Sequence, residues 1–259
     1  MMKSIQQEAI DCITKLILET QHVNCIFLKG SIARGEQDQY SDVDYYCIVD
    51  EEYYSEFLEK RIQFMEGYRK LLYYSESNFV GPQIVGVFDN GLHFDLYTLV
   101  DVPKIGTDDI KVIYDKDGQL NDYLRIKNEP EEEQIAKYFD EFTFSLLEFE
   151  AAYCRRDLIW SARLGSHLLG DLSLILSYLY DSDKPFVGMK RLSKKLPIDI
   201  HEKVIEANNL LTPRDILEGI LCLIGLANTI YEKLDDKYKN KININFFRFM
   251  KARLIELQL

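Results

Sequence analysis

A chain of 259 residues, 47% hydrophobic and 29% charged, can fill one large core or two modest ones without disulfide or metal staples. No apolar run reaches the roughly 18 residues of a membrane span, and the polar start through Ser4, Gln6, Gln7 and Glu8 is unlike a signal peptide. A cytoplasmic location with no membrane contact is therefore expected, and a net charge of −12 disfavours polymeric nucleic acid as a partner by repelling its phosphates.

The five cysteines, Cys12, Cys25, Cys47, Cys154 and Cys222, are scattered and mostly flanked by apolar residues, which predicts buried free thiols. Ser4-Ile5-Gln6-Gln7 has the pattern of a capping box, and Ile5, Ala9, Ile13, Leu16 and Ile17 recur at helical spacing, so a first helix is predicted to about Glu19. A strand follows over 23–28. Gly30-Ser31 breaks it, a polar loop runs from Gly35 to Ser41, and 43–49 reads as a second strand. A helix is predicted from Tyr53 to about Leu72.

The apolar runs 84–88 and 92–100 flank Asp89-Asn90-Gly91, whose Asn-Gly pair suits the positive φ of a tight hairpin turn. They are predicted to pair antiparallel. A short strand over 112–114 closes at the turn Asp115-Lys116-Asp117-Gly118. Beyond Asn128-Glu129-Pro130 strand alternation disappears, and helices are predicted over 131–153, 157–180, 198–208, 213–234 and 244–257, with Thr212-Pro213 as a start signal. The fold class expected is α+β, a mixed sheet with flanking helices over residues 1–128, followed by an all-α helical bundle over 129–259.

Asp42-Val43-Asp44 alternates across Val43, so an extended backbone points both carboxylates to one face and leaves Val43 for the core. A paired acidic face suits magnesium, a hard ion that prefers carboxylate, water and phosphate oxygens to the imidazole or thiolate groups this chain could offer. Upstream, Lys29-Gly30-Ser31 ends a strand where glycine lets the backbone approach phosphate and the amides and the Ser31 hydroxyl can donate to it. A third carboxylate is expected on a neighbouring strand. Asp95, inside the apolar run Leu92-His93-Phe94-Asp95-Leu96-Tyr97, provides it, against the alternative of a solvent-facing residue at a strand edge. Holding phosphates, neutralising them and activating a hydroxyl are the needs of nucleotidyl transfer, which two carboxylate-held divalent ions can meet.

The stretch from Lys29-Gly30-Ser31 to Asp42-Val43-Asp44 resembles the signature of the polymerase β-type nucleotidyltransferase superfamily. Gly35 to Asp42 and Ile113 to Leu120 look most like the two-domain lincosamide nucleotidyltransferases, antibiotic adenylyltransferases. That resemblance implies transfer of AMP from ATP to a drug hydroxyl, a pair of magnesium ions, and a homodimer. It implies Asp42 and Asp44 as catalytic metal ligands and Ser31, with Gly30, as the triphosphate anchor; Asp95 is the expected third carboxylate, as general base or as metal ligand.

Cationic contacts to the triphosphate are sought in Arg34 beside the Gly-Ser turn and, in the bundle, among Arg155, Arg156, Arg163, Lys190, Arg191, Lys194 and Lys195. Lys190 is favoured because Lys184 to Lys190 resembles a bundle segment of related transferases. His167, four residues after Arg163, and His201 are read as packing or surface histidines rather than ligands. Two other readings stay open: an aminoglycoside acceptor, favoured by the acidic balance, and an antitoxin-like module of the same fold acting on a protein partner.

Overall fold

The computed structural model describes residues 4–78, 81–127, 131–181 and 188–258. It divides into two compact units, Met1–Ile126 and Lys127–Leu259. The tripeptide Asn128-Glu129-Pro130, where the sequence places the boundary, lies outside the described residues.

In the first unit, helix α1 (Ile5–Leu18) is capped by Ser4, whose hydroxyl accepts from the Gln7 amide at 3.2 Å, and it buries Ala9, Ile10, Ile13 and Ile17. Strand β1 (Val23–Leu28), the short helix α2 (Gly30–Ala33) and strand β2 (Val43–Val49) follow. A helical turn over Glu51–Tyr53 leads into α3 (Tyr54–Glu66). Then come β3 (Leu71–Ser77), β4 (Gln83–Phe88), β5 (His93–Leu99), β6 (Ile105–Gly106), β7 (Lys111–Asp115) and β8 (Leu124–Arg125). Six strands form one sheet in the order β3-β4-β5-β2-β1-β7, while β6 and β8 make a separate parallel pair. Within the sheet, β2 and β5 run parallel and every other neighbouring pair runs antiparallel.

The hairpin expected around Asn90-Gly91 is present: Gly91 has φ +81°, its amide bonds to Phe88 O at 2.9 Å, and β4 pairs antiparallel with β5. One expectation fails after α3. The helix predicted to reach Leu72 stops at Glu66, and Leu71–Ser77 becomes an edge strand with a register irregularity between Leu71 and Tyr73. Its aromatic and aliphatic residues satisfy a strand as readily as a helix, and Gly67 ends the helical run.

One face of the sheet carries the larger core, where Ile26, Leu28, Val43, Tyr45, Phe94 and Leu96 meet Ile13 and Ile17 of α1 and Phe57 and Phe64 of α3. The opposite face has a smaller apolar layer of Cys25, Phe27, Tyr46, Ile48 and Leu120. Strand period two thus splits β1 and β2 between the layers, and the carboxylates fall on the second.

The second unit is helical: α4 (Glu132–Cys154), α5 (Leu158–Tyr180), α6 (Ile198–Leu210), α7 (Ile216–Lys233), α8 (Asp236–Lys239) and α9 (Ile244–Glu256). Phe139, Phe142, Phe149, Leu172, Leu223, Phe247 and Met250 are among the residues of its core. Thr212-Pro213 starts a capping turn rather than the helix, since the Thr212 hydroxyl accepts from the Asp215 amide and α7 begins at Ile216. Of the cysteines, all free, only Cys25 and Cys47 are buried; Cys154 is exposed, a correction to the expectation of buried thiols. Among the described residues no helix is long and apolar enough to cross a membrane.

Candidate active site

Three neighbouring strands bring the expected residues to one end of the sheet. Leu28 pairs with Tyr45 across β1 and β2, which continues as a bond from the Lys29 amide to Asp44 O at 3.1 Å. On the other side of β2, Asp44 stands opposite Asp95 of the parallel strand β5, and Tyr46 opposite Tyr97. Side-chain alternation therefore lays two rows across the sheet: Phe27, Tyr46 and Tyr97, and beside them Lys29, Asp44 and Asp95. β5 is an interior strand and Asp95 is only 8% exposed, so the solvent-edge alternative for this carboxylate does not hold.

The turn after β1 is shaped around Asp44. Gly30 has φ +67°, a conformation glycine adopts without strain, and any Cβ there would overlap Asp44 Oδ2. The next residue, Ser31, has its hydroxyl oxygen buried with no hydrogen-bond partner. A buried polar atom without a partner is costly, so this oxygen is suited to a ligand. Asp42 sits just ahead of β2 rather than within it. The loop delivering it is fixed by Gln6 of α1, whose amide donates to Asp38 O and Ser41 O at 3.1 Å each, and by Asp38 Oδ1, which accepts from the Tyr40 amide at 2.9 Å.

His93 is the residue sequence reasoning passed over. Its Nε2 lies 2.9 Å from Asp95 Oδ1 and its Nδ1 3.9 Å from Asp42 Oδ2, so the imidazole stands between two of the three carboxylates. The hydrogen bond with Asp95, then the charges of Asp95, Asp42 and Asp44, raise its pKa against the opposing effect of burial. The alternation of His93 with Asp95 on one strand face was the available signal. Accordingly the three carboxylates are not gathered into a ready-made cage: among the described residues no cluster of three or more His, Cys, Asp or Glu side chains is arranged to hold a metal. In chemistry the donor set still suits a hard divalent cation, with Asp44 and Asp95 in register on adjacent strands and Asp42 linked to them through His93.

Lys29 also went without a role. Its ammonium lies 4.7 Å above the Tyr46 ring, and that ring is stacked between Phe27, at 5.0 Å, and Tyr97, at 4.2 Å and 3° between planes. Burial, then the charges of Asp95 and Asp44, push the Tyr97 hydroxyl up to about 12. Arg34 is engaged elsewhere than expected, donating from Nε to Glu36 Oε2 at 2.7 Å. Lys190 is exposed in the second unit, on the turn before the short helix Leu192–Lys194, and Lys184 to Val187 lie outside the described residues. In that unit Arg191 and Lys195 face the buried Asp181 at 3.9 and 3.8 Å, which gives them a structural partner.

Comparison with known proteins adds the family. No curated protein matches the chain. An aminoglycoside 6-adenyltransferase from Bacillus subtilis is similar among solved structures, with 13% identity over 96% of this chain and 99% of that one and a TM-score of 0.39, too distant to inform the chemistry. The streptomycin adenylyltransferase family model matches residues 2–186. That span is well over half of the chain and includes Gly30, Ser31, Asp42, Asp44 and Asp95, so the chain belongs to the streptomycin adenylyltransferase family and is a nucleotidyltransferase.

Proposed function

We propose that this enzyme transfers AMP from ATP to a hydroxyl of a small antibiotic and releases pyrophosphate. The observation that carries the reading is the placement of Asp44 opposite Asp95 on adjacent parallel strands, with the Gly30-Ser31 turn packed against the Asp44 carboxylate. Residues 1–128 act as the catalytic domain and 129–259 as a helical domain. The substrates place the protein in the cytoplasm, where ATP is available, and sedimentation of the purified chain tests the expected homodimer.

Asp42 and Asp44, with Asp95, would hold magnesium, which supplies charge neutralisation for the phosphates and a lowered proton affinity for the attacking hydroxyl. The Gly30 and Ser31 amides and the Ser31 hydroxyl donate to phosphate oxygens; the unpartnered state of that hydroxyl supports the assignment. Asp95, nine-tenths buried and bonded to His93, is placed to accept the proton of the acceptor hydroxyl, and His93 holds the carboxylate in orientation. Arg34 and Lys190 are the further cations offered to the triphosphate, Arg34 by exchanging Glu36 for phosphate.

For the acceptor, membership of a streptomycin adenylyltransferase family and the net charge of −12 favour an aminoglycoside, a polycation, over a lincosamide. The test is a panel of aminoglycosides and lincosamides incubated with ATP or GTP and read by mass, alongside a cell lysate to reveal a labelled protein acceptor. A mass increase of one AMP on an aminoglycoside, lost with Asp42→Asn and with chelation of divalent ions, is the expected result. Undiminished acceptor-dependent pyrophosphate release by Asp42→Asn would refute the carboxylate assignment, and label appearing only on a protein would refute the acceptor class.

A further inference from the structure

We infer that Lys29 is a catalytic residue of this site, the first-unit cation that binds the departing pyrophosphate; the inference rests on the nucleotidyl-transfer reading above. In that reaction the acceptor oxygen forms its bond to Pα while the bond from Pα to the bridging oxygen breaks. The electron pair stays on that oxygen and leaves with pyrophosphate, and the acceptor proton passes to a site carboxylate. Negative charge therefore grows on the leaving group, and a cation aimed at it is worth most at that moment.

Position singles out Lys29. It lies in the same cross-strand row as Asp44 and Asp95, and the Lys29 amide bonds to Asp44 O. It immediately precedes Gly30, with its left-handed φ, and Ser31, with its unpartnered buried hydroxyl, so ammonium, amides and hydroxyl come from three consecutive residues. The ammonium rests 4.7 Å over the Tyr46 ring, and Tyr46, 6% exposed, is held between two stacked rings. A cation supported on a fixed aromatic face keeps its position with little loss of side-chain freedom on binding. Arg34, the other cation of the turn, is paired with Glu36 and must exchange it to reach phosphate. An array of Asp42, Asp44 and Asp95 repels a polyphosphate unless cations stand within the same array, and Lys29 is in the row of two of them.

The alternative is that Lys29 serves only as a counter-ion of Asp44. The two roles separate when inorganic pyrophosphate is titrated against the full chain with magnesium present, comparing Lys29→Met, which keeps the aliphatic stem, with Lys29→Gln and Lys29→Arg. A pyrophosphate ligand predicts affinity and kcat lowered roughly 10- to 100-fold in Lys29→Met and Lys29→Gln, largely restored in Lys29→Arg, with an unchanged melting temperature. Pyrophosphate affinity equal to wild type in the folded Lys29→Met or Lys29→Gln protein overturns the inference, whatever happens to stability. If wild type adenylylates an acceptor while those variants match it, Lys29 alone is wrong. If wild type modifies no acceptor but binds pyrophosphate in a Lys29-dependent way, the binding assignment stands and the reading of the reaction falls.

Discussion

Replacing Gly30 by alanine should damage catalysis far more than stability. The backbone there has φ +67°, which costs an L-residue about 1–2 kcal/mol. The new methyl would overlap Asp44 Oδ2 and press on Asp44 Cγ, 3.2 Å away, so the carboxylate must leave its rotamer at a further cost of about 0.5–1.5 kcal/mol. Folding should therefore weaken by about 2–3 kcal/mol, within reach of chemical denaturation at 25 °C. Activity should fall further, because a reacting group moved by about 1 Å loses on the order of 100-fold in rate. Gly35 supplies the control: its φ is +70°, but a Cβ there meets nothing within 4 Å. Gly35→Ala should thus show the backbone cost of about 1–2 kcal/mol and keep most of the activity. Acceptor-dependent pyrophosphate release, measured for the folded fraction of both variants, decides the matter. Equal activity in the two, or wild-type kcat in Gly30→Ala, would show that Asp44 does not depend on this close approach.

Gln6→Ala should loosen the loop before Asp42 by deleting the donors to Asp38 O and Ser41 O, lowering stability by about 1–2 kcal/mol and accelerating amide hydrogen exchange over 38–42. In the helical unit, Phe139 is fully buried among Phe142, Phe247 and Tyr231, so Phe139→Ala should cost about 3–5 kcal/mol in urea unfolding. Burial raises Asp171 to about 6, above the usual carboxylate range. The folded state therefore holds this proton more tightly than the unfolded chain. The stability linked to it is complete below pH ~4 and lost as pH rises through ~6. Asp171→Asn should then stabilise the protein at pH 7 by about 1 kcal/mol, the full linkage of about 3 kcal/mol being reduced by solvent around a half-buried group, and the gain should vanish near pH 4. Melting curves across that range that stay parallel would contradict it.

Much of the framework was legible because it is written in local chemistry. The Ser4 cap, the apolar strands 23–28 and 43–49, the Asn-Gly hairpin and the helical periodicity after residue 131 each depend on residues close together in sequence. The Gly30-Ser31 and Asp42-Val43-Asp44 elements were recognisable for the same reason. The strand Leu71–Ser77 was missed, its first two residues being given to the preceding helix, because a run of leucine and tyrosine fits either a helix or a strand, and only pairing with β4 chooses.

The sequence by itself placed Asp42 and Asp44 either side of Val43 behind a glycine turn, since spacing and backbone freedom are properties of a few adjacent residues, although Asp42 falls just ahead of the strand rather than on it. Tertiary structure decided what stands beside them. The parallel pairing of β2 with β5 put Asp95 opposite Asp44, which no local pattern specifies because 51 positions separate the two in the chain. The same pairing placed His93 between Asp42 and Asp95, and the antiparallel pairing with β1 put Lys29 into the carboxylate row. Register between strands distant in sequence is set by which apolar faces can be buried together, so it becomes visible only when the cores on both sides of the sheet are assembled.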